Sequence, residues 1–308
     1  MRVFTELDKV HSFFPKTSIA LGNFDGLHIG HQSVIMRAVR LARQKGVASA
    51  VFTFSNHPIS LIDPKRSPPL LLTAQDKIRL LRSIGVDALI LIPFTPEILQ
   101  LSPEKFVQLL INTLHPVHIE VGPNYSFGHR GRGNPEMLRE AGEQYGFSVE
   151  IHPAVYVEDV LVSSTVIRRL IQQGKVEKAA AYLGRPFRLK GRVVSGDGRG
   201  RNLGYPTANL SIEEGLISPG DGVYAVEILT RHGIYQGVAN VGENPTFKGQ
   251  HRRIEVFIFD FSADLYGCII SVLFLKQIRK EITFSSASEL QTQIAHDIIK
   301  AKNFFSAR

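Results

Sequence analysis

The sequence has few of the features that mark secreted proteins. Its 308 residues include a single cysteine, Cys268, and no tryptophan. One cysteine cannot form a disulfide within the chain, so a disulfide-stabilised scaffold is excluded and a reducing compartment is favoured. The first ten residues place Glu6 and Asp8 where a signal peptide would have its apolar core. We therefore expect a cytoplasmic protein.

Long apolar runs and clustered charge are also missing. A membrane-spanning helix needs about 20 consecutive apolar residues, and no stretch of this chain approaches that length. The formal net charge is +8, of which residues 185–308 contribute +4 and the remainder +4, without a basic tail. Proteins that bind nucleic acid usually concentrate positive charge on one face or helix. We expect neither a membrane nor a nucleic-acid partner, and diffuse basicity fits small anionic ligands.

The first part of the chain alternates between apolar strands and amphipathic helices. The pattern predicts strands at 17–24, 48–54, 88–94, 117–122 and near 147–151, and helices at 29–46, 73–85, 102–114, near 134–145, 163–174 and 175–184. Thr73 and Ser102 stand at expected N-cap positions, and Gly85 ends a helix. Near-continuous apolar strands separated by helices indicate a parallel sheet covered on both faces. We predict a doubly wound α/β domain whose ligands lie at the carboxyl ends of the strands.

The second part of the chain has a different period. Strand patterns occur at 187–194, 222–230, 233–241, 252–261 and 268–278, and no helical period follows until 286–305. A run of strands ended by one helix predicts a small β-barrel with a terminal helix. Gly184 and Pro186 mark the change of pattern, so we expect two domains, 1–184 and 185–308.

The stretch GNFDGLHIGH (22–31) forms the turn between the first predicted strand and the first predicted helix. Such a turn offers free backbone N–H groups and the positive end of a helix dipole to a phosphate. Glycines let the backbone approach a ligand closely, at Gly22, Gly26 and Gly30. His28 and His31 would add donors to the charge that grows on an α-phosphate during nucleotidyl transfer. The alternative is one capping and one packing histidine.

A second candidate phosphate segment is VSSTVIRRL (162–170). It opens a predicted helix with Ser164 and Thr165 and places Arg168 one turn later. Together with the histidine pair, these groups could hold a triphosphate. The alternative is that the hydroxyls only cap the helix.

The predicted barrel contains the glycine-rich stretch VSGDGRGRNLGYPTANL (194–210), which lacks the Gly-Lys-Ser/Thr of a Walker A loop. A phosphate chain could be wrapped by backbone N–H groups at Gly196, Gly198, Gly200 and Gly204, together with Arg199 and Arg201. As nucleotide-binding positions of this loop we predict Gly196, Asp197, Gly198, Arg199 and Gly204. Thr207 and Asn209 would project the same way from an extended segment. Their oxygens suit Mg²⁺ that carries nucleotide phosphates. A plain loop and turn is the alternative.

Glu255 is the one carboxylate in the central part of RRIEVFIFDF (252–261), which otherwise looks apolar on both faces. A carboxyl group in such surroundings would have a raised pKa and could act as a general base. A salt bridge to Arg252 or Arg253 at a strand edge is equally compatible with the sequence.

These motifs together resemble the bacterial bifunctional riboflavin kinase/FAD synthetase family. The resemblance runs in order through GNFDGLHIGH, FSNHP, VGPNYSFG, SSTVIR, YLGRPF, GRVVSGDGRGRNLGYPTANL, DGVYAV, NVGENPTF, IEVFIFDF and DLYG. It implies a Rossmann-like adenylyltransferase domain that makes FAD and pyrophosphate from FMN and ATP. It also implies a barrel kinase that makes FMN from riboflavin and ATP, with Mg²⁺ accompanying ATP. Self-association is expected to be weak or transient.

The resemblance carries roles over to individual positions. His28 and His31 match the adenylyltransferase histidines, and Glu255 matches the catalytic base of the kinase. Nucleotide-binding positions of the first domain are Gly22, Asn23, Phe24, Gly30, Asn124, Ser164, Thr165 and Arg168. Flavin-binding positions are Phe54, His57, Pro58 and Phe127, and metal-binding positions are Thr207 and Asn209. FSNHP (54–58) and FGHRGRGN (127–134) differ from the usual family pattern on the flavin side.

Two other functions remain compatible with the residues alone. In one, only the kinase works, and the first domain binds nucleotide without turnover. In the other, the diffuse positive charge contacts RNA and the nucleotide site is regulatory. The intact HxGH and Ser-Thr-x-x-Arg motifs disfavour the first alternative, and the lack of a basic patch disfavours the second.

Overall fold

The computed structural model describes residues 1–10, 13–196, 200, 203–243 and 252–308. Contacts between residues divide the chain into two compact units, Met1–Ser164 and Thr165–Arg308. No helix in this described part of the chain has the length and apolarity needed to cross a membrane.

The first unit contains a sheet of six parallel strands in the order β1-β4-β3-β2-β5-β6. Its strands are β1 (Arg2–Phe4), β2 (Thr17–Leu21), β3 (Ala48–Phe54), β4 (Ala88–Ile92), β5 (Pro116–Val121) and β6 (Ser148–Ile151), and a separate hairpin consists of β7 (Tyr156–Val157) and β8 (Val160–Leu161). From β2 the chain builds outward through β3 and β4, and then returns to the other side of β2 to add β5 and β6. The sheet order therefore reverses between β2 and β5.

Helices cover both faces of this sheet. They are α1 (Ile29–Lys45), α2 (Pro58–Ile62), α3 (Ala74–Ile84), α4 (Pro96–Leu99), α5 (Pro103–Leu114) and α6 (Pro135–Tyr145). Successive residues of β2 belong to different cores: Ile19 and Leu21 lie in one apolar cluster and Ala20 in another. Alternation of strand side chains puts these clusters on opposite faces. The predicted doubly wound α/β fold is confirmed.

The second unit is a closed antiparallel barrel accompanied by helices. Its strands follow one another around the barrel as β10-β13-β12-β11-β14-β9, and β9 pairs with β10 to close it. They are β9 (Phe187–Val194), β10 (Ala208–Ile212), β11 (Gly222–Thr230), β12 (Gly233–Glu243), β13 (Arg252–Ile258) and β14 (Ile269–Arg279), and the helices are α7 (Ser164–Gln172), α8 (Val176–Leu183) and α9 (Ala287–Ser306). The predicted barrel and terminal helix are confirmed.

The helices α7 and α8 are grouped with the barrel by their contacts. Apart from its first residue, α7 belongs to the second unit, and α8 packs against β9 and β14. Val176, Ala179 and Leu183 form the buried face of α8. The domain boundary expected after Gly184 stays a prediction, based on the change of sequence pattern.

Candidate functional site

The loop with sequence GNFDGLHIGH lies where the order of the first sheet reverses. The ends of β2 and β5 are paired, with Leu21 opposite Val121. GNFDGLHIGH (22–31) leaves the end of β2, and GPNYSFG (122–128) leaves the end of β5, with Asn124 exposed. Doubly wound sheets bind ligands in the crevice at such a point. Topology alone therefore makes this a candidate ligand site.

His28 forms the N-cap of α1. Its Nδ1 accepts a hydrogen bond from the backbone N–H of His31 at 3.2 Å. Because Nδ1 is the acceptor, the ring carries its proton on Nε2, which makes Nε2 the donor. A Cβ added to Gly30 would come within 3.3 Å of the His28 ring, so the glycine leaves room for the imidazole. The capping alternative is thus correct for Nδ1, and capping also orients the donor atom Nε2.

His31 stacks on His28 and is electrostatically unusual. The two ring centroids are 3.5 Å apart, with 19° between the planes, and Phe24 packs edge-on against His31. Burial lowers the pKa of His31 well below 6.5, and nearby His28 and Lys77 lower it further. Its Nδ1 is buried without a hydrogen-bond partner among the described residues. His31 is therefore a neutral imidazole with one polar atom available to a ligand.

The backbone between β2 and α1 is strained. Phe24 and Leu27 have φ values of 49° and 43°, in the left-handed region, and Gly26 between them has φ 80°. Non-glycine residues adopt this conformation only when their surroundings hold them there. A Cβ on Gly22 would meet the Phe24 ring at 2.8 Å. The loop therefore needs glycine at position 22 and external support.

Side chains from other segments supply part of that support. The Ser164 hydroxyl donates to the carbonyl oxygen of Asp25 at 2.9 Å. The buried Asp25 carboxylate accepts from the Leu71 N–H at 3.1 Å, and the Gln32 amide donates to the Leu27 carbonyl at 2.7 Å. Ser164 thus contacts the loop that the sequence pairs it with.

The other residues of the second phosphate motif follow Ser164 in α7. The helix begins at Ser164, one residue after the predicted start at 163. Thr165 is exposed and Arg168 is buried, with 8% of its surface accessible. Thr165 and Arg168 belong to the second unit.

The predicted flavin segment FSNHP begins at the carboxyl end of β3. Phe54 is the last residue of that strand, and Pro58 is the first residue of α2. His57 caps α2, since its Nδ1 accepts from the Ile59 N–H at 3.2 Å. Asn56 bonds through both ends of its amide to the backbone of Phe94, at 2.7 and 3.2 Å. Asn56, one of the departures from the usual family pattern, therefore joins the ends of β3 and β4.

Phe127 lies apart from the other flavin positions. It is 6% exposed and belongs to the apolar core. Its ring packs on Phe106 and Tyr125, with centroid separations of 5.3 and 5.8 Å. Phe106 contacts Phe52, which contacts Phe54. The two predicted flavin aromatics are therefore connected through two core rings.

A small cavity opens between the ends of β2 and β3. Asn23 and Phe54 both line it, which brings one predicted nucleotide position and one predicted flavin position together. Lys77, which the sequence analysis missed, also lines it. Its helix has an ordinary amphipathic pattern, so a solvent-facing lysine was the natural expectation.

The barrel places Asn209 and Glu255 side by side on neighbouring strands. They are register partners between β10 and β13. Arg253 links them: its Nη2 lies 2.6 Å from Glu255 Oε1, and its Nε donates to Asn209 Oδ1 at 3.2 Å. A Cβ on Gly196 would collide with the Asn209 amide. Gly196, Asn209 and Glu255 therefore form one cluster.

The surroundings of Glu255 differ from the expected apolar ones. Its side chain is 23% exposed and ion-paired to Arg253, whereas Ile254 and Val256 are buried. The salt-bridge alternative is therefore correct. Its edge-strand setting is wrong, because β13 pairs with β10 on one side and β12 on the other.

Part of the glycine-rich loop lies outside the described residues, including the predicted positions Asp197, Gly198 and Arg199. Gly200 accepts backbone hydrogen bonds from Leu203 and Tyr205 at 3.1 and 2.8 Å. A Cβ on Gly200 would lie 3.1 Å from Thr207 Oγ1. Gly204 is exposed and has φ 85°. The loop therefore turns tightly just before Thr207 and Asn209.

One further group of potential metal ligands lies in the first unit. Among the described residues, only His118, Glu120 and Glu150 place three such atoms within 4.8 Å of one another. Arg37 lies 3.6 Å from the Glu120 carboxylate and 3.0 Å from that of Glu150. Burial raises the pKa of Glu120, and a hydrogen bond from His118 opposes that rise. The guanidinium already balances these carboxylates, so the cluster is a partly buried ion-pair network.

Two family models match the chain in succession. The FAD synthetase model matches residues 11–166, and the riboflavin kinase model matches residues 183–305. The first match contains the histidine loop, and the second contains the glycine-rich loop and Glu255.

Relatives with both functions in their names match almost the whole chain. A bifunctional riboflavin kinase/FMN adenylyltransferase of Buchnera aphidicola is 37% identical, covering 97% of this chain and 96% of its own. The Haemophilus influenzae protein with the same name is 35% identical over 100% of both chains. A crystal structure titled as a macrolide-efflux protein from Streptococcus pneumoniae is 33% identical, covers 96% of each chain and has a TM-score of 0.87.

Proposed function

Since this chain belongs to the bifunctional riboflavin kinase/FMN adenylyltransferase family, we propose how its residues carry out the two reactions. The riboflavin kinase part phosphorylates riboflavin to FMN with ATP. The FAD synthetase part adenylylates FMN to FAD and releases pyrophosphate. We propose that these parts are the domains 1–184 and 185–308 and that the enzyme acts in the cytoplasm, with at most weak self-association.

The adenylyl site is built around the two stacked histidines. His28 Nε2–H donates to an oxygen of the ATP phosphates, and the neutral His31 contacts the same chain through its unsatisfied ring atom. Donors held in place before the reaction stabilise the charge that develops as pyrophosphate leaves. The buried cap on α1, which fixes the direction of His28 Nε2, is the observation that carries this proposal.

Other residues of the first site hold the substrates. For ATP these are Gly22, Asn23, Phe24, Gly30, Asn124, Ser164, Thr165 and Arg168, and for the flavin they are Phe54, His57, Pro58 and Phe127. Asn23 and Phe54 line one cavity, which supports neighbouring nucleotide and flavin positions. The burial of Phe127 in the core favours a supporting role behind Tyr125.

The kinase site is built around Glu255. The ribityl hydroxyl of riboflavin is a poor nucleophile at neutral pH, and Glu255 accepts its proton as the bond to phosphorus forms. The ion pair with Arg253 at 2.6 Å holds the carboxylate in one orientation. The phosphates of ATP are bound by the glycine-rich loop, through Gly196, Asp197, Gly198, Arg199 and Gly204.

The side-chain oxygens of Thr207 and Asn209 are suitable ligands for a magnesium ion. Thr207 directly precedes β10, and Asn209 is the second residue of that strand. Residues two apart in an extended segment point to the same face, so the threonine hydroxyl and the asparagine amide oxygen lie on one face of the strand. Both are hard oxygen ligands, and waters and phosphate oxygens commonly complete the Mg²⁺ shell. We propose that these residues hold the ion with ATP, where it neutralises phosphate charge.

The proposal is tested by supplying riboflavin, ATP and Mg²⁺ to the purified protein and separating the flavins by chromatography. Formation of both FMN and FAD is expected. FMN alone would mean that the first domain only binds nucleotide, and neither product would favour a binding protein.

A further inference from the structure

Lys77 is a buried cation close to the histidine loop. It is the fourth residue of α3, and only 7% of its surface is exposed. A buried ammonium group is costly unless polar groups surround it. On an amphipathic helix, a lysine that points inward needs a specific reason.

The contacts of Lys77 join two strand ends. Its Nζ donates to the carbonyl oxygens of Asn23 at 3.0 Å and Phe54 at 3.1 Å. It also lies 3.4 Å from the Thr53 hydroxyl, which itself donates to the Asn23 carbonyl at 2.9 Å. One side chain therefore ties the loop after β2 to the end of β3.

The hydrogen bond from Lys77 to the Asn23 carbonyl lies at the start of the strained segment. Asn23 directly precedes Phe24, the first of the two non-glycine residues in the left-handed region, and Leu27 directly precedes His28. A conformation of this kind persists only when neighbouring groups hold it. Lys77 holds the beginning of the segment, while Gln32 holds its end through the Leu27 carbonyl.

The charge of Lys77 also acts on His31. It is one of the causes that lower the pKa of His31, after burial and His28. Burial lowers the pKa of Lys77 itself to about 8, and the Asp25 carboxylate opposes that change. The titratable groups that interact with this cation are thus Asp25 in the loop and His31 of α1.

We infer that Lys77 is a positioning residue for adenylyl transfer, whose ammonium holds the Asn23 and Phe54 carbonyls so that the loop presents His28 and His31 to the phosphates. This inference rests on the role proposed above for the histidine pair. A displacement of about 1 Å at a reacting group can cost on the order of 100-fold in rate, which sets the size of the expected effect.

The test compares Lys77→Met and Lys77→Arg with Arg79→Met in the full-length enzyme. Arg79 lies on the same helix with its side chain 57% exposed, so its substitution removes a cation without disturbing the loop. Lys77→Met should lower the kcat of FMN adenylylation by about 100-fold. Riboflavin phosphorylation, measured in the same sample, should stay within twofold of wild type, as should both activities of Arg79→Met.

The pH profile separates positioning by charge from simple packing. Wild-type adenylylation should decline as pH rises through about 8, because Lys77 loses its proton there. The arginine variant cannot lose its proton in this range, so it should keep measurable activity without that decline. If Lys77→Met also impairs the kinase, the Lys77→Arg profile decides alone.

Two results would overturn the inference. One is a Lys77→Met enzyme with wild-type adenylylation, and the other is a Lys77→Arg enzyme that still declines at the wild-type pH. In either case His28→Ala, assayed beside them, would still report separately on the proposed histidine site.

Discussion

The His28 imidazole lies flat on that of His31, with 3.5 Å between the ring centroids, while its Nδ1 accepts the His31 backbone N–H. One residue thus caps a helix and forms half of the candidate catalytic pair. Its two roles use different ring nitrogens, so different substitutions can separate them.

Replacement of His28 by Asn should keep the cap but lose the donor at the Nε2 position, because the shorter asparagine amide nitrogen does not reach that far. An asparagine side chain is a good N-cap, whereas alanine costs about 1 kcal/mol at such a position. Both His28→Asn and His28→Ala should therefore lose FAD formation by about 100-fold or more, but only the alanine variant should be less stable in thermal unfolding. An Asn variant with near-normal FAD synthesis would show that the histidine is only a cap.

His31 should make stability depend on pH in the acid range. Its folded-state pKa is depressed below 6.5 by burial, so the unfolded chain takes up a proton that the folded chain does not. The resulting stability is fully present above pH 6.5 and is lost as pH falls below it. His31→Gln should flatten this loss in thermal unfolding between pH 5 and 8. The exposed His296 on α9 supplies the control, and His296→Gln should follow the wild-type curve.

Glu255→Gln keeps the shape of the side chain and removes the base. General-base catalysis is worth on the order of 100- to 10,000-fold, so FMN formation from riboflavin should fall by that factor. FAD formation from supplied FMN should continue. Glu227→Gln, which removes a barrel carboxylate paired with Arg308 at 3.0 Å, should leave both reactions unchanged. Riboflavin phosphorylation within a few-fold of wild type in the Glu255 variant would mean that the carboxylate is structural.

Fragments 185–308 and 165–308 should both fold and phosphorylate riboflavin, because each contains the complete barrel. The longer fragment should melt at a higher temperature. Helix α8 buries Val176 and Leu183 in the second unit, and each such side chain contributes about 1.5–3 kcal/mol. Thermal unfolding of the two fragments provides the comparison. An unfolded 185–308 fragment would move the domain boundary to the amino side of α7.

Strong local signals made much of the fold predictable. The cap at Thr73 and the stop at Gly85 bracket α3 as expected, and the continuous apolar runs became the buried strands β2 and β4. β1 was missed because it has three residues and lies at a sheet edge. β10 was left open because polar residues alternate through it, including Asn209 and Ser211.

The site was only partly predictable for a similar reason. Motif spacing pointed to His28, Ser164 and Glu255, whose positions in the chain carry a clear signal. Lys77 carries none, since only the packing of α3 against two strand ends reveals that it points inward. The Glu255–Arg253 pair shows the converse limit. Arg253 and Glu255 are two residues apart on one strand, so their side chains lie on the same face. The sequence alone was nevertheless equally compatible with a Glu255 carboxylate in apolar surroundings and with one paired to an arginine.

The most direct test of two separate sites is a chromatogram of the flavins made by wild type, His28→Asn and Glu255→Gln. Each protein receives ATP and Mg²⁺ with either riboflavin or FMN. From riboflavin, wild type should make FMN and FAD, and His28→Asn should stop at FMN. Glu255→Gln should make almost no product from riboflavin but should convert FMN to FAD. Loss of the same reaction in both variants, or of both reactions in either, would contradict the assignment.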